Sequence, residues 1–134
     1  MRWVLALVFA GSLAFAATAY ADDAPTVANT PPVVVKTEPP AGATDVAAST
    51  GEIRVTFSKK MRDKDWSWVE VSKESFPATT GQPHFLPDGT TCILPVKLEA
   101  GKSYAVWLNS AQHQNFQDEA GRKAVPYLLV FGTK

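Results

Sequence analysis

The chain has 134 residues, with 13 basic and 13 acidic side chains and a formal net charge of zero. This balance excludes the strongly basic surface by which proteins recruit nucleic acid, so no nucleic-acid partner is expected. The only cysteine is Cys92, which excludes an internal disulfide. In an oxidising compartment the domain must therefore be stabilised by packing alone.

Residues 1–21 have the organisation of a secretory signal peptide. Arg2 supplies a positive charge, residues 3–16 are almost entirely apolar, and residues 19–21 fit the small-x-small cleavage pattern. We predict cleavage after Ala21. An uncleaved membrane anchor is the alternative, but the apolar run is shorter than the ~20 residues that a bilayer span requires. The product is expected to be exported, periplasmic or secreted, without a membrane span.

Residues 22–32 are predicted to be a flexible leader. They are acidic and rich in alanine and threonine, and they end in Pro31-Pro32. Residues 33–134 remain, which is enough for one domain with a core of its own.

The domain is predicted to be all-β. Apolar residues alternate with polar ones in several short runs, and helical periodicity is absent where apolar residues are dense. Ile53, Val55 and Phe57 share one face of their run, which predicts one buried and one wet face. The predicted strands are residues 33–37, 52–58, 66–71, 82–86, 91–96, 103–109 and 127–132. About seven strands separated by turns predict an Ig-like antiparallel β-sandwich.

Two features of residues 91–98 predict local structure. Cys92 alternates in phase with Leu94 and Val96, so it is predicted to be a buried, inert small hydrophobe. Pro95 has no amide hydrogen and is predicted to lie at an edge or a bulge.

Leu98, Gly101 and Tyr104 have the spacing of a tyrosine corner. In this motif the phenol bonds to upstream backbone at a connection between sheets. An ordinary core tyrosine is the alternative, and both assignments make Tyr104 structural. In the last strand Phe131 is predicted to point inward with Leu129, which makes it structural as well.

Three segments carry a resemblance to a known family. They are TEPPAGATDVAASTGEIRVTFSKKM at residues 37–61, LEAGKSYAVWLN at residues 98–109, and a C-terminal part with Asp118, Gly121 and FGT at residues 131–133. Together they resemble the bacterial SbsA-type Ig-like domain, named after an S-layer protein, over about residues 34–133. The resemblance implies a β-sandwich used as a spacer, adhesive or accessory module in exported bacterial proteins. It implies no catalytic residues.

The early segment is also similar in outline to copper-resistance sandwiches of the CopC type. That resemblance implies copper held by histidines, one of them at the mature N-terminus. Here the predicted mature N-terminus has no histidine, and the two histidines are His84 and His113. Copper prefers imidazole or thioether ligands, so copper binding ranks third among the functions considered. No other cofactor or metal is expected, because no paired Cys or His spacing is present.

No catalytic residues are predicted. Ser110, His113 and Asp118 contain the residue types of a hydrolytic triad, but they fall in one polar loop without a nucleophile-elbow motif. The chain is therefore predicted not to be an enzyme.

Tryptophans are the first candidate binding residues. Trp66 and Trp68 lie on one side of their strand, and Trp107 lies opposite its inward neighbours. If both strands share a sheet, the three indoles would form an exposed platform for sugar rings. The favoured alternative makes Trp68 the buried tryptophan of an Ig-like third strand and leaves Trp107 as an outward contact residue.

The loop of residues 109–126 is the second candidate, because long polar loops on a rigid sandwich often carry binding residues. It contains His113, Asn115 and Phe116. In the alternative, Asp118 forms a turn and Phe116 closes the end of the core. The sequence does not separate the two.

These observations predict an exported, non-enzymatic Ig-like module for protein interaction or for a structural or accessory role in the cell envelope. Its partner is an unidentified protein or envelope component. A carbohydrate-binding module with exposed tryptophans is the alternative.

Overall fold

The computed structural model describes residues 10–12 and 24–134. The predicted cleavage site after Ala21 and most of the predicted signal peptide lie outside the described residues. The described strands are Val34–Glu38 (β1), Glu52–Phe57 (β2), Trp68–Glu70 (β3), Ala78–Thr79 (β4), His84–Phe85 (β5), Thr91–Lys97 (β6), Ser103–Leu108 (β7) and Tyr127–Gly132 (β8). Within this part of the chain, no helix is long and apolar enough to cross a membrane.

The strands form two antiparallel sheets. In the larger sheet the order is β1-β2-β6-β4, and β5 also pairs with β6; in the smaller sheet the order is β3-β7-β8. The predicted all-β sandwich is confirmed. The sequence missed β4 and predicted β5 too long, because each of these two-residue strands covers only part of the free edge of β6.

The N-terminal part of the domain belongs to both sheets. β1 pairs with β2 in the larger sheet, and the chain then turns through Pro39, Pro40 and Gly42, whose φ is +86°. Gly42 N donates to Val130 O at 2.7 Å, and Val46 N donates to Gly132 O at 3.1 Å. Residues 42–46 therefore cover the outer edge of β8.

Pro95 lies in a strand that is flanked on both sides, which differs from the predicted edge or bulge. β2 pairs with residues 91–95 of β6, and on the other side of β6 the strand β5 pairs with Cys92 and Ile93 and the strand β4 pairs with Val96 and Lys97. Pro95 O accepts from Thr80 N at 3.1 Å, so the backbone of Pro95 faces the side of β4 and β5. Its missing N–H group lies where one short strand ends and the other begins, and no ladder bond is lost.

The core consists of two adjoining clusters between the sheets. One contains Phe57, Cys92 and Phe116, and the other contains Tyr104 and Phe131. Trp68 packs against both clusters and joins them. Burial of these apolar faces is the main stabilising term of a domain without a disulfide.

Tyr104 closes the connection between β6 and β7, which lie in different sheets. Its ring is 1% exposed, and Glu99 N donates to Tyr104 Oη at 2.8 Å. Leu98 is buried, and Gly101 has a φ of +66°, a conformation that glycine adopts without steric cost. The backbone bond expected of a tyrosine corner is present.

We expect Tyr104→Phe to lower the free energy of unfolding by about 1 kcal/mol, because the variant loses one hydrogen bond and keeps the ring. Urea denaturation measures the effect. An unchanged midpoint and slope would show that the bond does not stabilise the domain.

Cys92 faces inward between the sheets and is fully buried. Burial raises the pKa of its thiol from 9.0 to about 12, and the indole N–H of Trp68 opposes this rise only in part. The thiolate is therefore scarce at neutral pH.

We expect the native protein to resist labelling by a thiol reagent at pH 7.5, and the unfolded protein to react at once. Labelling followed by mass spectrometry checks this. Rapid labelling of the native protein would place Cys92 on the surface and reverse the two faces of β6.

Residues 28–32 are part of the folded domain, although the sequence placed them in a flexible leader. Lys59 Nζ donates to Ala28 O at 2.9 Å and to Thr30 O at 3.1 Å. Val125 N donates to Pro32 O at 3.0 Å, and Pro32 is buried. The ordered domain thus begins before residue 33.

Candidate functional site

The outward side of the smaller sheet is the candidate site. Trp107 on β7 lies between Val69 on β3 and Leu128 on β8, and the neighbouring outward row pairs Ala105 with Val130. We call these five residues the outer apolar face. Their orientation follows from alternation, because Val106, Leu108 and Leu129 between them are 0% exposed.

The outer apolar face is accessible to solvent. Leu128 is 41% exposed and Val130 is 42% exposed, while Val69, Ala105 and Trp107 are half-buried. Ala105 and Trp107 lie on β7, the central strand of this sheet, and Val69 lies beside the large indole of Trp107. The result is a continuous uncharged surface with one aromatic ring on its central strand.

Trp68 and Trp66 do not join Trp107. Trp68 is opposite Leu108 on the inward side of the sheet, and its ring meets the ring of Phe116 edge-on at 5.8 Å. Trp66 is half-buried against the cluster that contains Phe116. The exposed platform of three indoles is therefore absent, because one-residue alternation puts Trp68 and Trp107 on opposite faces. The alternative is right about the two faces, with Trp68 inward and Trp107 outward, but Trp68 is half-buried, as Trp107 is.

Trp68 has one unusual feature among the described residues. Its Nε1 atom is buried and has no hydrogen-bond partner. The N–H group lies near the thiol of Cys92 and opposes the rise in the pKa of that thiol, but the two groups do not have the geometry of a hydrogen bond. A buried donor without a partner costs free energy, so the indole is held there by packing.

Phe116 closes the end of the core and is not a surface contact. It is 0% exposed, and its ring centroid lies 4.9 Å from that of Phe57 and 6.3 Å from that of Phe85. Asn109 fixes this position: its Nδ2 donates to Phe116 O at 2.8 Å, and its Oδ1 accepts from Phe116 N at 3.0 Å. Of the two explanations for this loop, the structure supports closure of the core for Phe116.

The other two loop candidates remain on the surface. His113 is exposed, and its backbone forms a turn with Ser110. Asn115 is exposed, and its backbone N donates to Ser67 Oγ at 2.9 Å. Both stay candidate contact residues at the end of the sandwich.

A buried ion pair organises the same end. Lys59 Nζ lies 2.7 Å from Asp118 Oδ2, and their side chains are 13% and 2% exposed. Arg122 N donates to Asp118 Oδ1 at 2.8 Å, and Arg122 Nη1 lies 3.4 Å from Oδ2. Burial alone would raise the pKa of Asp118. The hydrogen bonds from Lys59 and Arg122 and the charge of Lys59 outweigh burial and lower this pKa from 3.8 to about 2.

A groove of about 590 Å³ lies beside this end, between the loop after β2 and the turn after β5. Its walls carry Lys60, Arg62, Asp63 and Glu119, so the two charge signs balance. Lys60 and Glu119 pair across it at 3.6 Å. Among the described residues, no group of three or more His, Cys, Asp or Glu side chains is arranged to hold a metal ion.

Sequence reasoning found Trp107 but missed its neighbours Leu128 and Val130. The signal was present in YLLVFG at residues 127–132, where apolar residues fill both faces of the strand. A strand with one wet face should alternate, so an unbroken apolar run indicates two apolar faces.

These features define an immunoglobulin-like domain. The domain has two antiparallel sheets and an N-terminal segment that is shared between them. A tyrosine, Tyr104, closes the connection from β6 in one sheet to β7 in the other. The chain belongs to the bacterial Ig-like domain family, which it matches over residues 28–133. The match begins at Ala28, the first residue of the segment 28–32 that packs on the domain, which we call the docked N-terminal segment. The resemblance seen in the sequence is confirmed.

The crystal structure of the S-layer protein rSbsC(31-844) has a similar fold, with a TM-score of 0.50 and 21% sequence identity. The similarity covers 80% of this chain and 14% of the S-layer protein. The chain thus corresponds in length to a small part of that protein. No curated protein sequence matches the chain.

Proposed function

We propose that the chain is an exported, non-enzymatic module of the bacterial cell envelope that contacts a protein through its outer apolar face. The observation that carries the proposal is the position of Trp107 on that face beside Leu128 and Val130, two side chains more than 40% exposed. Contiguous exposed apolar surface on a small soluble domain usually marks a contact site, and tryptophan is enriched among residues that dominate binding energy.

The chemistry of the reactive groups supports a role without catalysis. The thiol of Cys92 is buried and has a pKa of about 12, so it is a poor nucleophile. Asp118, whose pKa is depressed to about 2, is bonded to Lys59 and Arg122 and stays ionised. Both groups stabilise structure.

The signal-peptide pattern of residues 1–21 supports export, and the family supports a place in the bacterial envelope. The carbohydrate alternative depended on the three-indole platform and is set aside. A single half-buried ring on an otherwise aliphatic face suits a protein surface better than a sugar.

The test is site-specific photocrosslinking in the native bacterium. A benzophenone amino acid replaces Leu128 in one strain and Val35, which is 58% exposed on β1, in the control strain. We expect a covalent protein adduct at position 128 that is lost when Trp107 is also changed to serine. Absence of an adduct at position 128, or equal adducts at both positions, would contradict the proposal.

A further inference from the structure

We propose that this domain is a load-bearing link, which resists tension applied along the chain between the segment before β1 and the last strand, β8. This inference goes beyond the proposed function, because it does not depend on what the outer apolar face contacts. It depends on the direction in which the two terminal parts of the domain run, on the bonds between them and on their attachment to the two sheets.

The two terminal parts of the domain run side by side in the same direction. At one end of the sandwich, Val125 N donates to Pro32 O at 3.0 Å. At the other end, Val46 forms a parallel bridge with Thr133. Residue numbers rise together along both parts, so the chain enters the domain at one end and β8 finishes at the opposite end. Tension on the chain is therefore directed along the strands.

Four backbone hydrogen bonds join residues 42–46 to residues 130–134, and we call this pair of segments the terminal clamp. The bonds run from Gly42 N to Val130 O (2.7 Å), from Gly132 N to Ala43 O (2.7 Å), from Val46 N to Gly132 O (3.1 Å) and from Lys134 N to Val46 O (3.0 Å). Such bonds lie across the strand direction. Tension pulls the first segment towards its N-terminus and the second towards its C-terminus, so the segments would slide past each other and all the bonds are loaded together.

The same bonds resist less when force separates the two segments from one end. A pull on both segments at the Val46 end would open the bonds one after another, beginning with the bond from Lys134 N to Val46 O. Forced unfolding is governed by the unfolding rate, and this rate is lower when several bonds must break in one step. The parallel direction of the terminal clamp is thus the feature that suits the domain to tension.

Both halves of the terminal clamp are attached to the rest of the domain. Thr133 N donates to Lys102 O at 2.9 Å, and Thr133 Oγ1 donates to Glu99 O at 2.5 Å. β8 is paired with β7 in the smaller sheet, and β1, which precedes residues 42–46, is paired with β2 in the larger sheet. A load on the terminal clamp therefore reaches both sheets. An internal disulfide does not share this load, because Cys92 is the only cysteine.

The test is single-molecule force spectroscopy at constant force, in which the purified protein is pulled in two directions. In the first direction, handles are attached at Ala24→Cys and at a cysteine added after Lys134. In the second, Ser49→Cys, just beyond Val46, replaces the attachment at position 24. Ala24 and Ser49 are exposed, whereas Cys92 is buried and should not take up a handle. We expect the folded lifetime at a given force to be about tenfold longer or more in the first direction, because the bonds of the terminal clamp break together there.

Val46→Pro removes one donor of the terminal clamp, the N–H group that binds Gly132 O. We expect it to shorten the folded lifetime in the first direction about fivefold, the effect of one hydrogen bond on an unfolding rate. Ala48→Pro is the matched control and should leave the lifetime unchanged. Ala48 is the second residue of a turn that Thr50 N closes on Ala47 O at 3.0 Å, and within the described residues its own N–H group makes no hydrogen bond. Proline is favoured at this turn position.

Equal lifetimes in the two directions, or a longer lifetime in the second direction, would overturn the proposal. A longer lifetime in the first direction that Val46→Pro leaves unchanged would overturn it as well, because the terminal clamp would not carry the load. If Val46→Pro does not fold, the comparison of directions decides alone, since both pairs of attachment points leave the terminal clamp intact. Photocrosslinking at position 128 is independent of these lifetimes, so this proposal and the proposed function fail separately.

Discussion

Trp68→Ala is expected to lower the free energy of unfolding by about 3–5 kcal/mol, the usual cost of truncating a large aromatic core residue. Trp68 packs against both core clusters and meets Phe116 edge-on at 5.8 Å. Loss of the ring leaves a cavity at the junction of the clusters. Part of the cost is offset because the unpartnered Nε1 donor disappears with the ring. Urea denaturation followed by circular dichroism measures the change.

Trp107→Ala is the matched control, since it removes the same side chain from the opposite face of the same sheet. It should cost only about 1 kcal/mol, the scale of cross-strand contacts with Val69 and Leu128. Equal losses for the two variants would mean that Trp107 belongs to the core, and the outer apolar face would lose its central residue.

Alternation predicted the strands with one buried face. Ile53, Val55 and Phe57 are buried as their spacing indicates, and Tyr104 and Phe131 are buried on the strands of the other sheet. The strand β4 escaped prediction because its pairing depends on β6 and not on its own residues. Ala78 and Thr79 are both exposed and carry no apolar pattern.

The candidate site was only partly predictable from the sequence, because it also depends on how strands pair with one another. The phase of β7 indicates that Trp107 points outward, but phase within one strand does not reveal which residues lie beside it. Leu128 became its neighbour through the register of β7 and β8, and Trp68 was removed from the site by the register of β3 and β7. Register depends on contacts between distant segments, and a shift of one residue would exchange the faces.

The composition of the docked N-terminal segment did not predict that it packs on the domain. Residues 28–32 are small or polar and end in two prolines, which is typical of a linker. What holds them is Lys59, which lies far along the chain and donates to two of their carbonyl groups. The same ammonium group pairs with Asp118, so one lysine joins the N-terminal segment to the loop before β8.

Asp118→Asn is expected to lower the free energy of unfolding by about 2–3 kcal/mol at pH 7, because a buried pair that loses one partner leaves the other charge without compensation. Two features limit this loss of stability. Lys59 retains its bonds to Ala28 O and Thr30 O, and the cluster lies near the surface, where Arg122 is 38% exposed. Glu119→Gln is the control: its pair with Lys60 is more than 60% exposed on both sides and should contribute less than about 0.5 kcal/mol.

The pH dependence of stability identifies the ion pair as the cause. The pKa of Asp118 is lowered in the folded protein to about 2 from 3.8, so the unfolded chain binds its proton first as the pH falls. The stabilisation by Asp118 is complete above about pH 5 and is lost between about pH 4 and about pH 2. Other carboxylates such as Glu38 and Asp88 also have lowered pKa values, so both proteins weaken in acid. The difference in unfolding free energy between wild type and Asp118→Asn should therefore shrink as the pH falls from 5 to 2. A difference that stays constant over this range would show that the variant acts through packing, and that the charge of Asp118 does not hold the N-terminal segment and the loop together.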